Sequence, residues 1–333
     1  MNAPIVHGGG VTAAAAVYGG RPEDWLDLST GINPIPAPLP EIPARAWHRL
    51  PDRYLIDAAR SAAQAYYRSG DSLPLPVPGT QSVIQLLPRL LDEGSRVAVL
   101  TPTYGEYERA FRLAGYRVDR VGGIGEIGAS HRLAVIVNPN NPDGRTHAPD
   151  ELAALCERMG QTGGLVVVDE AFGDTRPWMS AAPHASRLPN LIVFRSFGKF
   201  FGLAGLRLGF VVAAHPILDR FENWLGPWAV SGPALAIADA LLRQDTVAIQ
   251  LQIAERSNGL RSVLDESGLR VVGGTDLFSL VDHNEAAALH EHLCRHHILV
   301  RKFDYAPNWL RFGLPSDPMS QSRLAAALKS YEP

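Results

Sequence analysis

A chain of 333 residues, 46% hydrophobic and 20% charged, is long enough to build one large core and a smaller one. Its formal net charge of −3, with no block of basic residues, argues against nucleic acid or an anionic membrane as the main partner. No apolar stretch can span a bilayer, no basic region precedes the short apolar run 11–17, and the two cysteines, Cys156 and Cys294, suit a reducing compartment; a cytoplasmic enzyme is the expected class.

In chain order, residues 1–40 read as an irregular arm that must lie on something larger. It contains His7-Gly8-Gly9-Gly10, the strand-like Trp25-Leu26-Asp27-Leu28, and Asn33 held in the stiff turn Ser29-Thr30-Gly31-Ile32-Asn33-Pro34. A helical pattern covers 54–67. Pro78-Gly79-Thr80-Gln81 then opens a helix expected over 82–91, and a glycine loop at a helix start presents free backbone N–H groups to an anion. An αβ rhythm follows. Strands are predicted over 96–100, 116–121, 133–137, 165–168, 191–194 and 208–212, with helices over 106–114 and 150–159 between them. Strands alternating with helices predict an α/β fold with a mostly parallel sheet covered on both faces. After Pro227 the pattern becomes α+β: helices over 231–242, 246–266, 285–296 and 320–330, and strands over 269–272, 277–281, 298–302 and around Trp309-Leu310-Arg311-Phe312. The expected division is an arm (1–40) lying on the active site, a large cofactor-binding domain (41–226) and a small C-terminal domain (227–333).

The stretch from Ser196 to Gly209 sets the chemistry. Lys199 sits among glycines and aromatics, with Ser196 three residues before it and Arg207, the next charge, eight after. A lysine in such company points into a partly desolvated pocket, where its amine can be neutral and bond to an aldehyde. Pyridoxal phosphate is the aldehyde cofactor whose other demands this chain can meet. Asp169, at the end of a buried strand, can keep the ring nitrogen protonated. Backbone N–H groups over Gly79, Thr80 and Gln81, the Ser196 hydroxyl and Arg207 can hold the phosphate. Tyr104 can stack on the ring, and Asn141 can donate to its phenolic oxygen. Lys199, Asp169, Tyr104 and Asn141 all follow strand ends, where such sheets bind ligands.

Two other signals are set aside. Gly123-Ile124-Gly125-Glu126-Ile127-Gly128 follows a strand but leads into another strand, not the helix a dinucleotide site needs. His292 and His296 share a helix face, but no glutamate base or third ligand stands beside them, so no metal site is expected.

The order Gly79-Thr80, Pro102-Thr103-Tyr104, Asn138-Pro139-Asn140-Asn141-Pro142-Asp143-Gly144, Asp169-Glu170-Ala171-Phe172 and Ser196-Phe197-Gly198-Lys199, with Arg207, resembles the class I/II aminotransferases of pyridoxal-phosphate fold type I. The resemblance covers nearly the whole chain and implies a homodimer with its sites near the subunit interface. His7-Gly8-Gly9, Gly31-Ile32-Asn33-Pro34, Ile298-Leu299-Val300-Arg301 and Trp309-Leu310-Arg311 further resemble the L-threonine-O-3-phosphate decarboxylases of cobalamin synthesis, sisters of the histidinol-phosphate aminotransferases. That resemblance implies a small phosphorylated amino acid as substrate. Arg311 would clamp its carboxylate, and Arg301, His7 with Gly8 and Gly9, and Asn33 would surround its phosphate. The competing expectations are a histidinol-phosphate-type aminotransferase and a non-catalytic scaffold of the same fold. Two departures stand out. Phe172 replaces a tyrosine that donates to the cofactor in many aminotransferases. Leu50-Pro51-Asp52 has leucine where the family's tyrosine reaches the cofactor phosphate across the subunit boundary, with Tyr54 a few residues on as a substitute.

Overall fold

The computed structural model describes Ile5 and residues 7–332. Among these residues there are twelve strands: β1 (Leu26–Leu28), β2 (Leu75–Val77), β3 (Arg96–Leu100), β4 (Arg117–Val121), β5 (His131–Val137), β6 (Leu165–Asp169), β7 (Leu191–Ser196), β8 (Gly209–Ala213), β9 (Arg270–Thr275), β10 (Phe278–Asp282), β11 (Ile298–Phe303) and β12 (Ala306–Gly313). They form two sheets, and the chain divides into two compact units, each holding one of them.

The larger unit comprises Ala37–Asn141 and Arg145–Thr246. Its seven-stranded sheet has the order β2-β8-β7-β6-β5-β3-β4. The pairs from β7 to β4 are parallel, while β8 is antiparallel to both its neighbours. The central strands are continuous Val/Ile/Leu/Ala runs because both faces are covered. Their side chains join Phe111, Phe194 and Phe221 in one apolar core. The helix expected over 82–91 is broken: an α-helical turn, Thr80–Ile84, gives way to a 3₁₀ segment, Leu87–Leu90. Pro88 is the cause, since it has no N–H to donate and its ring crowds the carbonyl four residues back, at Ile84. Helix Gly232–Leu242 lies along helix Arg53–Tyr67 within this unit, so the unit ends after Thr246 rather than near 226.

The smaller unit takes the N-terminal residues through Pro36, Pro142–Gly144 and the chain from Val247 onward. Its five-stranded sheet has the order β1-β11-β12-β10-β9. The N-terminal segment groups with the C-terminal one because β1 pairs in parallel with β11, Leu26 opposite Ile298. This segment is also less irregular than its sequence suggests. Val11–Tyr18 is a helix, built on consecutive alanines and closed by Gly19 at φ 84°. No helix among the described residues is long and apolar enough to cross a membrane.

One buried charge network braces the larger unit. Arg195, the residue of β7 before Ser196, is 2% exposed. It pairs with Glu170, which follows the last residue of β6, and with Asp174 Oδ1 at 2.7 Å, and its guanidinium lies 4.5 Å from the Tyr67 ring centre. Glu170 also accepts from the Ser180 hydroxyl and the Ala181 amide, both at 2.6 Å. Burial pushes the Glu170 carboxyl up, and Arg195, Ser180 and Ala181 oppose that shift. Removing one member of such a cluster strands the others without solvent. Arg195→Met is expected to destabilise the protein by about 3–5 kcal/mol at pH 7. The loss should shrink toward pH 5, where a stranded carboxyl takes up a proton; thermal melting at both pH values checks this.

Candidate active site

β7, β6, β5 and β3 stand side by side and run parallel, so their carboxyl ends open on one edge of the sheet. Lys199, Asp169, Asn141 and Tyr104 come at or just after those four ends, in that spatial order. The parallel pairing is therefore what gathers them.

Asp169 ends β6 and is 4% exposed. Burial pushes its carboxyl up; hydrogen bonds from Tyr107 and the Ala171 amide and the nearby charge of Lys199 pull it down. The Tyr107 hydroxyl donates to Oδ2 at 2.6 Å, and the Ala171 amide to Oδ1 at 2.9 Å. Each oxygen retains a lone pair, so the carboxylate can still take a protonated ring nitrogen. Lys199 is half-buried on the one-turn helix Phe197–Phe200, with Nζ 5.8 Å from the Phe172 ring centre. The Tyr104 hydroxyl donates to Gln81 Oε1 at 3.1 Å, and burial, with Glu106 and Asp169 nearby, pushes its phenol up to about 12. Gln81 in turn donates to Glu106 Oε2 at 3.1 Å. Asn141 is half-buried at the end of a loop tied down by its neighbours. Asn140 donates to the Pro102 carbonyl at 2.8 Å and accepts from the Thr103 hydroxyl at 2.7 Å, and Asn138 Oδ1 accepts from the His147 amide at 2.8 Å.

Gly79, Thr80, Gln81, Ser196 and Arg207 form the loop and helix starts of the same unit. Gly79 has φ 74°, and a Cβ there would meet Arg207 Nη2 at 2.8 Å, so glycine is what lets the guanidinium lie against the loop. Arg207 is itself left-handed (φ 53°) and donates Nη1 to the Ala204 carbonyl at 3.0 Å. Thr80 and Gln81 begin the helical turn after Gly79, and Ser196 is the residue before the Lys199 helix. Tyr107, Glu106 and the Arg195 network were not singled out from sequence. A tyrosine on the buried face of an amphipathic helix signals that its hydroxyl needs a partner, but not which one.

The remaining predicted residues belong to the smaller unit. Arg301 and Arg311 are directly paired across β11 and β12. Arg311, 6% exposed, donates Nη2 to the Ser29 carbonyl at 2.9 Å, and its guanidinium lies 4.9 Å from the Phe278 ring centre. Burial and the charge of Arg301 lower its pKa to about 10. Burial also lowers that of Arg301, which lies 5.3 Å from the Phe303 ring centre. Like charges placed opposite each other in a sheet are unfavourable without an anion between them. Ser29 links the arm to this pair: its hydroxyl accepts from the Gly9 amide at 2.7 Å, and a Cβ on Gly8 would lie 2.3 Å from its carbonyl oxygen. His7 is exposed, and buried Asn33 accepts from the Ile35 amide at 3.1 Å.

A family model described as aminotransferase class I and II matches residues 23–328. The chain belongs to that family. It has the family's pyridoxal-phosphate fold type I, and its cofactor is pyridoxal 5′-phosphate, which the donor set just described fits. It is 63% identical over 332 residues to the threonine-phosphate decarboxylase of a Sinorhizobium species, covering 100% of each chain. It is 43% identical to the threonine-phosphate decarboxylase of Pseudomonas aeruginosa, covering 98% of each. Among solved structures, histidinol-phosphate aminotransferase from Sinorhizobium meliloti in complex with pyridoxal-5′-phosphate superposes with a TM-score of 0.84 at 22% identity, over 98% of this chain and 94% of that one. L-threonine-O-3-phosphate decarboxylase from Porphyromonas gingivalis gives a TM-score of 0.72 at 21% identity, over 92% and 98%. At these identities the two structural similarities show the fold.

The arginine pair makes a direct prediction. Inorganic phosphate should raise the melting temperature of the cofactor-loaded protein, and Arg301→Gln or Arg311→Gln should remove most of that gain. Since the folded Arg311 is lowered to about 10, its charge is present below that pH, and the phosphate effect should fade as pH rises through it. Melting curves at neutral pH and above pH 10 check both statements.

Proposed function

We propose that this protein decarboxylates L-threonine O-3-phosphate to (R)-1-amino-2-propanol O-2-phosphate in cobalamin synthesis. The observation that carries this reading is the arginine pair held in opposition at Arg301 and Arg311 and joined through Ser29 to the arm at Gly8 and Gly9. Two neighbouring cations call for a substrate with more than one anionic group. Full-length likeness to two threonine-phosphate decarboxylases supports the same substrate class.

In this reading Arg311 binds the substrate carboxylate, for which a planar guanidinium is suited. Arg301, His7, the backbone at Gly8 and Gly9, and Asn33 bind the substrate phosphate. Asp169 would hold the cofactor's ring nitrogen, Tyr104 its ring face and Asn141 its phenolic oxygen. Phe172 has no proton to give there. Thr80 and Gln81 amides behind Gly79, the Ser196 hydroxyl and Arg207 take the cofactor's phosphate. When bound, pyridoxal phosphate accepts the electron pair left when a bond at the substrate α-carbon breaks. Arg311 and Arg301 would choose the reaction by setting which group on that carbon, the carboxylate or the hydrogen, is presented for cleavage. Carbon dioxide leaves, and Lys199 Nζ carries the proton that replaces it on the α-carbon.

Large apolar side chains stand exposed in one segment of the larger unit: Leu39, Trp47, Leu50 and Tyr54. Exposed apolar side chains of this kind suit an assembly surface, and a second copy of the chain, in a homodimer, would cover them. Tyr54 meanwhile stacks on Arg45, whose guanidinium lies 4.5 Å from its ring centre. The reduced Cys156 and Cys294 fit a cytoplasmic location.

Product analysis tests the reaction. Threonine phosphate should yield carbon dioxide and the phosphorylated amine in equal amounts over many turnovers. Lys199→Ala should lower the rate by at least about 10²–10⁴-fold. Stoichiometric conversion of the cofactor to pyridoxamine phosphate with a keto product, or faster turnover of histidinol phosphate, would make it an aminotransferase instead.

A further inference from the structure

Asp169 is gripped from both sides, and one of the two grips is a side chain whose hydroxyl has no other task. Tyr107 lies on helix Glu106–Leu113 and is fully buried. Its hydroxyl donates to Asp169 Oδ2 at 2.6 Å. Its ring meets that of Tyr104 edge-on, centres 6.3 Å apart and planes at 80°. Burial and the adjacent carboxylate push the Tyr107 phenol far above its ordinary range, so it stays protonated and acts as a donor only. The charged and titratable groups around Asp169 are few. Tyr107 and Lys199 favour its ionised form, and Glu170, next along the chain, opposes it. Tyr104 also feels the Asp169 charge.

We propose that Tyr107 is a positioning residue for the cofactor: its hydroxyl aims the Asp169 carboxylate and weakens it as a base, so that the proton between Asp169 and the ring nitrogen stays on the ring. This rests on the reading that Asp169 faces that nitrogen. A carboxylate that accepts a strong hydrogen bond holds a further proton less tightly. A buried carboxylate without that bond competes harder for the proton and leaves the ring more nearly neutral. A neutral ring withdraws electrons less, so the group titrating in the cofactor's visible absorption band keeps its proton to higher pH.

The test uses three variants of the full chain. Tyr107→Phe removes the hydroxyl and keeps the packed ring. Tyr116→Phe is the control: its hydroxyl donates to the Leu91 carbonyl at 2.9 Å beside the same core and does not bond Asp169. Asp169→Asn tests the underlying reading. For each, the cofactor dissociation constant is measured by fluorescence titration with pyridoxal phosphate, and the pH midpoint of the visible band by absorbance. Melting curves set the assay temperature below the lowest midpoint. Tyr107→Phe should bind the cofactor about tenfold more weakly, with the band midpoint about one pH unit higher. Tyr116→Phe should match the wild type in both, even if it melts earlier. If Tyr107→Phe behaves like Tyr116→Phe while Asp169→Asn shifts both quantities, the role of Tyr107 is overturned. If Asp169→Asn also leaves both unchanged, the placement of the ring nitrogen falls with it.

Discussion

A carboxyl group at the end of a buried strand is the constraint around which the larger unit is arranged. Asp169 is almost inaccessible, and burial pushes its carboxyl up. Three groups resist that: a phenol, a backbone amide and the charge of Lys199. Each arrives by a different route. Ala171 comes from the turn after β6, Lys199 from the helix after β7, and Tyr107 from the helix after β3. The ionised form is thus favoured, against burial, by several elements in place together. The adjacent Glu170 meets the same difficulty differently, by pairing with Arg195, which also takes Asp174. Asp169 and Glu170 are neighbours in sequence, yet one is kept available to a ligand and the other is consumed in bracing the strand ends.

The smaller unit shows the converse. There two like charges share one buried surface. Arg301 and Arg311 are opposite each other on paired strands, and burial lowers the pKa of both. Tyr305 and Asp304 act on Arg301 in the opposite direction, and Tyr305 and Asp27 do so on Arg311. Phe278 and Phe303 lie against the two guanidiniums.

Most of the residues gathered at the strand ends were legible in the sequence because parallel α/β topology converts order along the chain into neighbourhood in space. Strand, polar turn, helix is a local pattern, and Tyr104, Asn141, Asp169 and Lys199 each sit at the turn. What escaped was of two kinds. Tyr107 and Arg195 act through long-range hydrogen bonds to Asp169 and to Glu170 and Asp174, and no local pattern says which buried polar groups will meet. The arm helix Val11–Tyr18 was hidden by the glycines and prolines around it, although its alanines favour helix strongly. The broken helix near Pro88 is the reverse case: the apolar spacing suggested continuity, and a single missing N–H overrode it.

The arm also shows why its glycines differ in kind from those of ordinary turns. The Ser29 carbonyl oxygen accepts from Arg311 Nη2, and the same atom is approached so closely by Gly8 that no side chain could stand there. The Ser29 hydroxyl is fixed in turn by the Gly9 amide and by Asp27, whose Oδ1 it reaches at 2.6 Å. One residue therefore joins the arm, the first strand and a buried guanidinium. A larger residue at position 8 would have to push the arm off Ser29 or push Ser29 off Arg311. Either displacement would disturb the Arg311 guanidinium without substituting a charged residue. Glycine at this point is thus a condition of the Ser29–Arg311 hydrogen bond.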